Sequence, residues 1–362
     1  MRCNSELIRN DMNDFSSKRM GRRDFIGTSA LVAASVGGFA TARPTASAKS
    51  KRDLMMQVLD KSGTPNYIPA GFFLHFPEGQ RTGDAAIKAH LDHFRATGMD
   101  FVKIQFEQSY PRAVEVKRAA DWAAIPVLKE EWFEPSLYVI KGLVKAAKPE
   151  ALILPTMYSP YQMAKQAVPK ETLLKHVQED PEAVSRGMEN ITLSIVNYVR
   201  AAVRAGADGF YTCSQGGEAN AVADRALFNR VIKNYDMLIQ KEVAQLTPVN
   251  ILHVCDYEGA YAEFGARFQD YPGQIVNVPL AAEGKPLSLS QAAELFKRPV
   301  MGGIDRHGVL STGTPAEVKK AVELVLKDAP THVILGANCT VRTDIPIQNL
   351  QIAIKTAHEF RA

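Results

Sequence analysis

A chain of 362 residues with 46% apolar and 23% charged side chains has an ordinary globular composition. It is long enough to bury a core without disulfide staples. Its formal charge is +4, but residues 1–48 carry seven basic and four acidic groups, leaving 36 basic and 35 acidic groups on the remainder. The body therefore has no global field for nucleic acid or an anionic membrane, and local Arg or Lys groups must hold any anionic small molecule.

The first element in chain order is a targeting segment. Arg22-Arg23 precede a mildly apolar stretch from Phe25 to Ala40, and Ala46-Ser47-Ala48 follows as a small-residue cleavage pattern. Paired arginines before such a stretch resemble a twin-arginine export signal. The stretch is too short and too weak for a permanent span. The reading is a signal at 1–48, a lead-in at 49–66, an exported mature protein and the twin-arginine translocase as a transient partner. The alternative is a disordered cytosolic tail.

From Tyr67 onward, short apolar runs alternate with amphipathic stretches. The predicted strands are Ile68–Leu74, Phe101–Phe106, Leu152–Met157, Gly209–Cys213, Asn250–Val254, Gln274–Val278, Val300–Ile304 and Val333–Leu335. The predicted helices are Asp84–Thr97, Ala183–Ala205, Ala219–Gln245, Ser290–Phe296, Pro315–Lys327 and Pro346–Phe360. Continuous apolar runs joined by helical crossovers predict a single (β/α)₈ TIM barrel over 67–362. Glu107–Glu150 exceeds one crossover and predicts extra helices after the second strand. An open doubly wound sheet would need a phosphate-type Gly loop after the first strand, and Phe72-Phe73-Leu74-His75-Phe76-Pro77 is not one. No nucleotide cofactor is expected.

Chemistry in a barrel sits where strands end. That rule selects His75, Glu107, Tyr158, Cys213, His253 with Cys255, Asn277, Asp305 to His307, and Cys339. The substrate-binding candidates are His75, Arg81, Tyr158, Arg306 and His307, facing a small molecule.

Several stretches resemble the uroporphyrinogen decarboxylase superfamily. They are Ala205-Gly206-Ala207-Asp208-Gly209, Gly302-Gly303-Ile304-Asp305-Arg306 followed by Gly313-Thr314-Pro315, and Leu335-Gly336-Ala337-Asn338-Cys339 with Asp344-Ile345-Pro346. The opening Gly71–Pro77 looks like a diverged branch. The resemblance implies a barrel and one of two chemistries. Cofactor-free decarboxylases clamp a polycarboxylate with an arginine pair near the first strand, and here only Arg81 stands in that region. The zinc-dependent methyltransferase branch carries His-x-Cys at one strand end and Cys after the last strand, matched by His253-Val254-Cys255 and Cys339.

Residues two apart on a strand share a face, so His253 and Cys255 can point together into the mouth. An imidazole and two thiolates suit Zn²⁺ and leave one position open for a substrate thiol. A corrinoid enters only as a methyl donor. Asp256 and Glu258 stand where the family commonly has Gly after the Cys, as outer-sphere groups or a fourth ligand. Asp305 is a candidate for positioning a proton or gripping a carboxylate with its neighbours, against a plain loop ion pair. Two alternatives to zinc stay open: buried core cysteines with a core histidine, and a Cys255–Cys339 disulfide. Cys213 reads as packing under the mouth rather than as a ligand. The implied activity is zinc-dependent methyl transfer to a thiol. The alternatives are decarboxylation of a polycarboxylate and a non-catalytic exported binding protein. Self-association as a homodimer stays open.

Overall fold

The computed structural model describes residues 49–361. The export signal of the sequence reading lies outside the described residues. Seven strands form one curled parallel sheet: β1 Phe101–Ile104, β2 Leu152–Tyr158, β3 Gly209–Ser214, β4 Val249–Val254, β5 Ile275–Asn277, β8 Val300–Ile304 and β9 Val333–Ala337. They are ordered as the chain runs, β1-β2-β3-β4-β5-β8-β9, and every pairing is parallel. A short hairpin, β6 Ala281–Ala282 with β7 Lys285–Pro286, sits between β5 and β8. Nearly every strand residue is buried, as expected of parallel strands covered by helices.

The run expected as the first strand, Ile68–Leu74, makes only isolated bridges, Ala70 to Leu335 and Leu74 to Val341. Pro69 has no N–H to donate, which thins the ladder here. The segment is nonetheless tied on both sides. Gly71 donates to the Leu335 carbonyl at 3.0 Å, Leu335 donates to Pro69 at 2.8 Å, and Asp100 donates to Ala70 at 3.0 Å. The Asp100 carboxylate is fully buried and accepts from the Tyr67 hydroxyl at 2.7 Å, the Ala70 amide at 2.7 Å and His358 Nε2 at 2.8 Å. One side chain thus joins the lead-in, β1 and the last helix, Ile347–Glu359.

The crossover helices follow their signals. Thr314 and Glu317 close a capping box on Pro315–Lys327, Ser288 and Gln291 do so on Leu289–Phe296, and Gly98 ends Gly83–Thr97 in the left-handed conformation with φ 79°. The long segment after β1 holds two 3₁₀ turns, Ala119–Ala124 and Glu130–Phe133, and the helix Glu134–Ala147. Trp122 from this insertion is wholly buried, donates its indole N–H to His176 at 3.0 Å and lies against Gly187, where a Cβ would come 2.8 Å from the Trp122 carbonyl oxygen. Two further helices after β2, Pro160–Ala167 and Lys170–Glu179, precede the long helix Pro181–Arg204. The helix read at Ala219–Gln245 begins later, at Arg225, and passes through a π turn at Asn229–Lys233.

Candidate metal centre

Parallel strands bring their C-terminal ends to one side, and register sets which residues stand level. Cys213 of β3 pairs with His253 of β4, and His253 pairs with Asn277 of β5. Two residues beyond His253, Cys255 faces the same side, and Cys339 follows β9 at the same mouth. The ligand atoms of Cys213, His253 and Cys255 all lie within 4.8 Å of one another. The sulfurs of Cys255 and Cys339 are 3.8 Å apart, and all three cysteines are free thiols. A disulfide needs about 2.0 Å.

This group is buried: His253 is 2% exposed and Cys255 3%. Neither ring nitrogen of His253 has a hydrogen-bond partner among the described residues. A buried imidazole with both nitrogens unsatisfied is costly unless something else takes a lone pair. The ring stacks on Tyr211 at 5.1 Å. Tyr211 in turn donates to Asn277 Oδ1 at 2.7 Å, while the Asn277 amide donates to the carbonyls of Met301 and Ala337 at 3.1 Å each. Asn277 is therefore spent on holding four strands, β3, β5, β8 and β9, together. Gln215 Nε2 donates to the Cys255 sulfur at 3.1 Å. Hydrogen bonding to Cys255 and burial push the Cys339 thiol up to about 12. Hydrogen bonding with Cys213 and burial also raise Cys255, so without a cation these thiols stay protonated.

The donor types suit zinc, and the spacing of the Cys255–Cys339 pair fits it. Two sulfurs bound to one tetrahedral zinc at about 2.3 Å stand about 3.8 Å apart, which is the Cys255–Cys339 separation found here.

The cluster forms the floor of a cavity of about 370 Å³ whose walls include Lys103, Gln105, Thr156, Tyr158 and Tyr211. Lys103 was not singled out from the sequence. Its one signal is a charge in the middle of the apolar run Phe101–Phe106, odd for a strand covered on both faces. It is buried, meets Gln105 Oε1, and stands 4.6 Å and 4.9 Å over the rings of Phe73 and Tyr211. Burial lowers its ammonium to about 8.

His75, Tyr158, Arg306 and His307 also line the cavity. His75 Nδ1 pairs with Glu107 Oε1 at 2.9 Å. Burial pushes Glu107 upward, but the bond to His75 and the charge of Arg81 outweigh it and hold the carboxylate below its usual range. At the rim, Asp256 accepts from Asn338 Nδ2 at 3.0 Å and faces Arg306 Nη1 at 3.5 Å, while Asn338 Oδ1 accepts the Arg306 amide at 3.1 Å. This clasp ties the loops after β4, β8 and β9, and so fixes the residue before Cys339.

Glu107, Asn277 and Asp256 stand behind the lining, and Arg81, Asp305 and Glu258 stand outside it as well. Arg81 is exposed and donates to the Phe76 carbonyl at 2.7 Å. Asp305 is exposed and accepts the His307 amide at 2.8 Å. Glu258 is bound by Lys165 and by Lys170, the latter at 2.7 Å; burial raises it, and the two ammonium groups bring it below the usual carboxylate range.

Among solved structures, a methyltransferase from Methanosarcina mazei is similar with a TM-score of 0.70 at 16% identity, covering 86% of this chain and 99% of that one. A B12-independent methionine synthase from Shewanella sp. W3-18-1, in complex with selenomethionine, aligns with a TM-score of 0.47 at 14% identity, over 81% of this chain and 95% of that one. The likeness to the Methanosarcina mazei protein, at 16% identity, speaks of fold alone. A search of the curated proteins finds no match. The uroporphyrinogen decarboxylase (URO-D) family profile matches residues 95–360. The match spans most of the chain and takes in β1 to β9 with the whole Cys–His cluster, and the chain therefore belongs to the uroporphyrinogen decarboxylase family.

Proposed function

We propose that the protein is a zinc-dependent enzyme that transfers a methyl group to a thiol, with His253, Cys255 and Cys339 as the metal donors. The observation that carries this reading is His253, buried among thiols with both nitrogens unsatisfied. Bound zinc would supply a Lewis acid that keeps an incoming thiol as the nucleophilic thiolate at neutral pH. In the transfer the thiolate sulfur forms a bond to the methyl carbon, and the donor leaves with the electron pair of its old bond. The chain's own groups do the rest. Lys103 holds a positive charge beside the forming C–S bond, Tyr158 and Tyr211 wall the reacting centre from water, and Arg306 with His307 meets the part of the substrate that protrudes at the rim.

Support also comes from the fold shared with the Methanosarcina mazei methyltransferase. We read the sheet as a full barrel, completed by the segment 69–74 between β9 and β1. Decarboxylation of a porphyrinogen is the weaker reading, because Arg81 near the first strand is spent on a backbone carbonyl outside the cavity, and the two arginines that line it, Arg306 and Arg342, already face Asp256 and Asp344.

Protein purified without a metal-chelating tag should contain about one zinc per chain by elemental analysis. It should demethylate methylcobalamin in the presence of a small thiol and form no coproporphyrinogen from uroporphyrinogen. Metal-free protein, or coproporphyrinogen formation, would overturn the assignment.

We further propose export by the twin-arginine route, which carries folded proteins and so admits a metal loaded before transport. Changing Arg22 and Arg23 to Lys should leave unprocessed precursor in the cytoplasm. Mature protein still found beyond the membrane would refute the route.

A further inference from the structure

Cys213 has no part in the donor set above, yet its sulfur lies within 4.8 Å of both the His253 ring nitrogen and the Cys255 sulfur. Its position is not accidental packing at the edge of a core. It pairs in register with His253 on the neighbouring strand and is 5% exposed, and its carbonyl receives the Ser159 amide at 3.0 Å, which fixes the backbone that presents it. The cysteine sulfurs segregate from the main apolar core into their own cluster, touched by Tyr158.

We infer that Cys213 is a fourth protein donor, so that the resting site is a Cys₃His set of Cys213, His253, Cys255 and Cys339. The inference rests on the zinc reading and deepens it: the position an external thiol would take is filled, in the resting protein, by the chain's own thiol.

Charge accounting supports three thiolates rather than two. Zn²⁺ with two thiolates and a neutral imidazole is neutral, which would leave the Lys103 ammonium with no anion in contact and only the more distant charge of Glu107, itself paired with His75. Among the described residues no carboxylate lies within ion-pair distance of Lys103; its contacts are Gln105 and two aromatic faces. A third thiolate brings the metal set to one negative charge, which Lys103 balances across the same cavity. Cys213 supplies that thiolate at rest, and a substrate thiolate would supply it in turnover, so the cavity stays balanced in both states.

Zinc-edge X-ray absorption on the full chain as purified separates the readings. Three sulfurs and one nitrogen are expected for the wild type, and two sulfurs for Cys213→Ser and Cys213→Ala. Chelator competition should show zinc held at least about 10-fold less tightly in both variants. A wild-type count of two sulfurs, or variants that keep both the count and the affinity, would overturn the role of Cys213 and leave the three-donor site standing. Wild-type protein without zinc would overturn both. If the variants fail to fold, the wild-type sulfur count decides alone.

Discussion

Cys255→Ser should lose most of its zinc and with it most methyl transfer, the largest functional effect expected of any single change in this chain. Cys255 is the hub of the cluster: its sulfur lies 3.8 Å from that of Cys339, within 4.8 Å of the donor atoms of Cys213 and His253, and accepts from Gln215. A serine hydroxyl is nearly isosteric but does not ionise to an anion at neutral pH, so a charged donor becomes a weak neutral one. Removing an outer partner of a ligand typically costs about 10–100-fold in metal affinity, and removing the ligand itself should exceed that range. Gln215→Ala, which deletes the N–H donated to the sulfur and also the Oε1 that accepts from Lys165 at 2.9 Å, leaves every proposed donor in place and should therefore fall inside it. Elemental analysis with chelator competition measures both variants, and a thermal melt shows whether they are folded. A folded Cys255→Ser protein with a full complement of zinc would mean that the metal, if present, sits elsewhere.

The largest effect on stability is expected at Asp100, far from the mouth. Its carboxylate has no exposure and receives three donors, from Tyr67, Ala70 and His358. Asp100→Ala leaves the buried Ala70 amide with nothing to meet and takes the partner from the half-buried Tyr67 and His358. Breaking such a buried, charge-bearing network typically costs about 3–5 kcal/mol. Asp100→Asn keeps one acceptor oxygen and should lose less. Urea unfolding followed by far-UV circular dichroism reads the difference. A loss below about 1 kcal/mol for the alanine variant would show that the lead-in and last helix are held by their apolar contacts instead.

The sheet was legible because parallel strands buried on both faces leave continuous apolar runs. Val300–Ile304 was bounded in sequence as it is in the structure, and the other six strands fell within two residues at every end. The exception was Ile68–Leu74, where composition resembles a strand but Pro69 removes a donor and only isolated bridges form. The helices after β2 were hidden because Pro160–Glu179 reads as polar and interrupted.

At the site, His253 and Cys255 could be placed on one face from their spacing alone. The proximity of Cys213 could not, because it depends on the register of β3 against β4, which no local pattern encodes. Lys103 was hidden among apolar neighbours that make its strand look ordinary. The strand-end rule also selects positions without fixing side-chain direction. Glu258 turns toward Lys165 and Lys170, and Asp305 turns back to cap its own loop.

The bridge from Ala70 to Leu335 and the contact between Cys255 and Cys339, 84 residues apart, have a meaning in time as well as in space. During synthesis the ribosome must deliver β9 before either junction exists. Until then the far edges of segment 69–74 and of β8 are unpaired, and the histidine and the first two thiols sit in an incomplete cup. Such long-range closure is slow and leaves strand edges open to misassembly. Cys339 lies only two residues past β9, so the last sulfur arrives as the sheet gains its last strand. A metal that requires Cys339 would then be captured firmly only by chains whose sheet is complete, making occupancy of the site a record of finished folding.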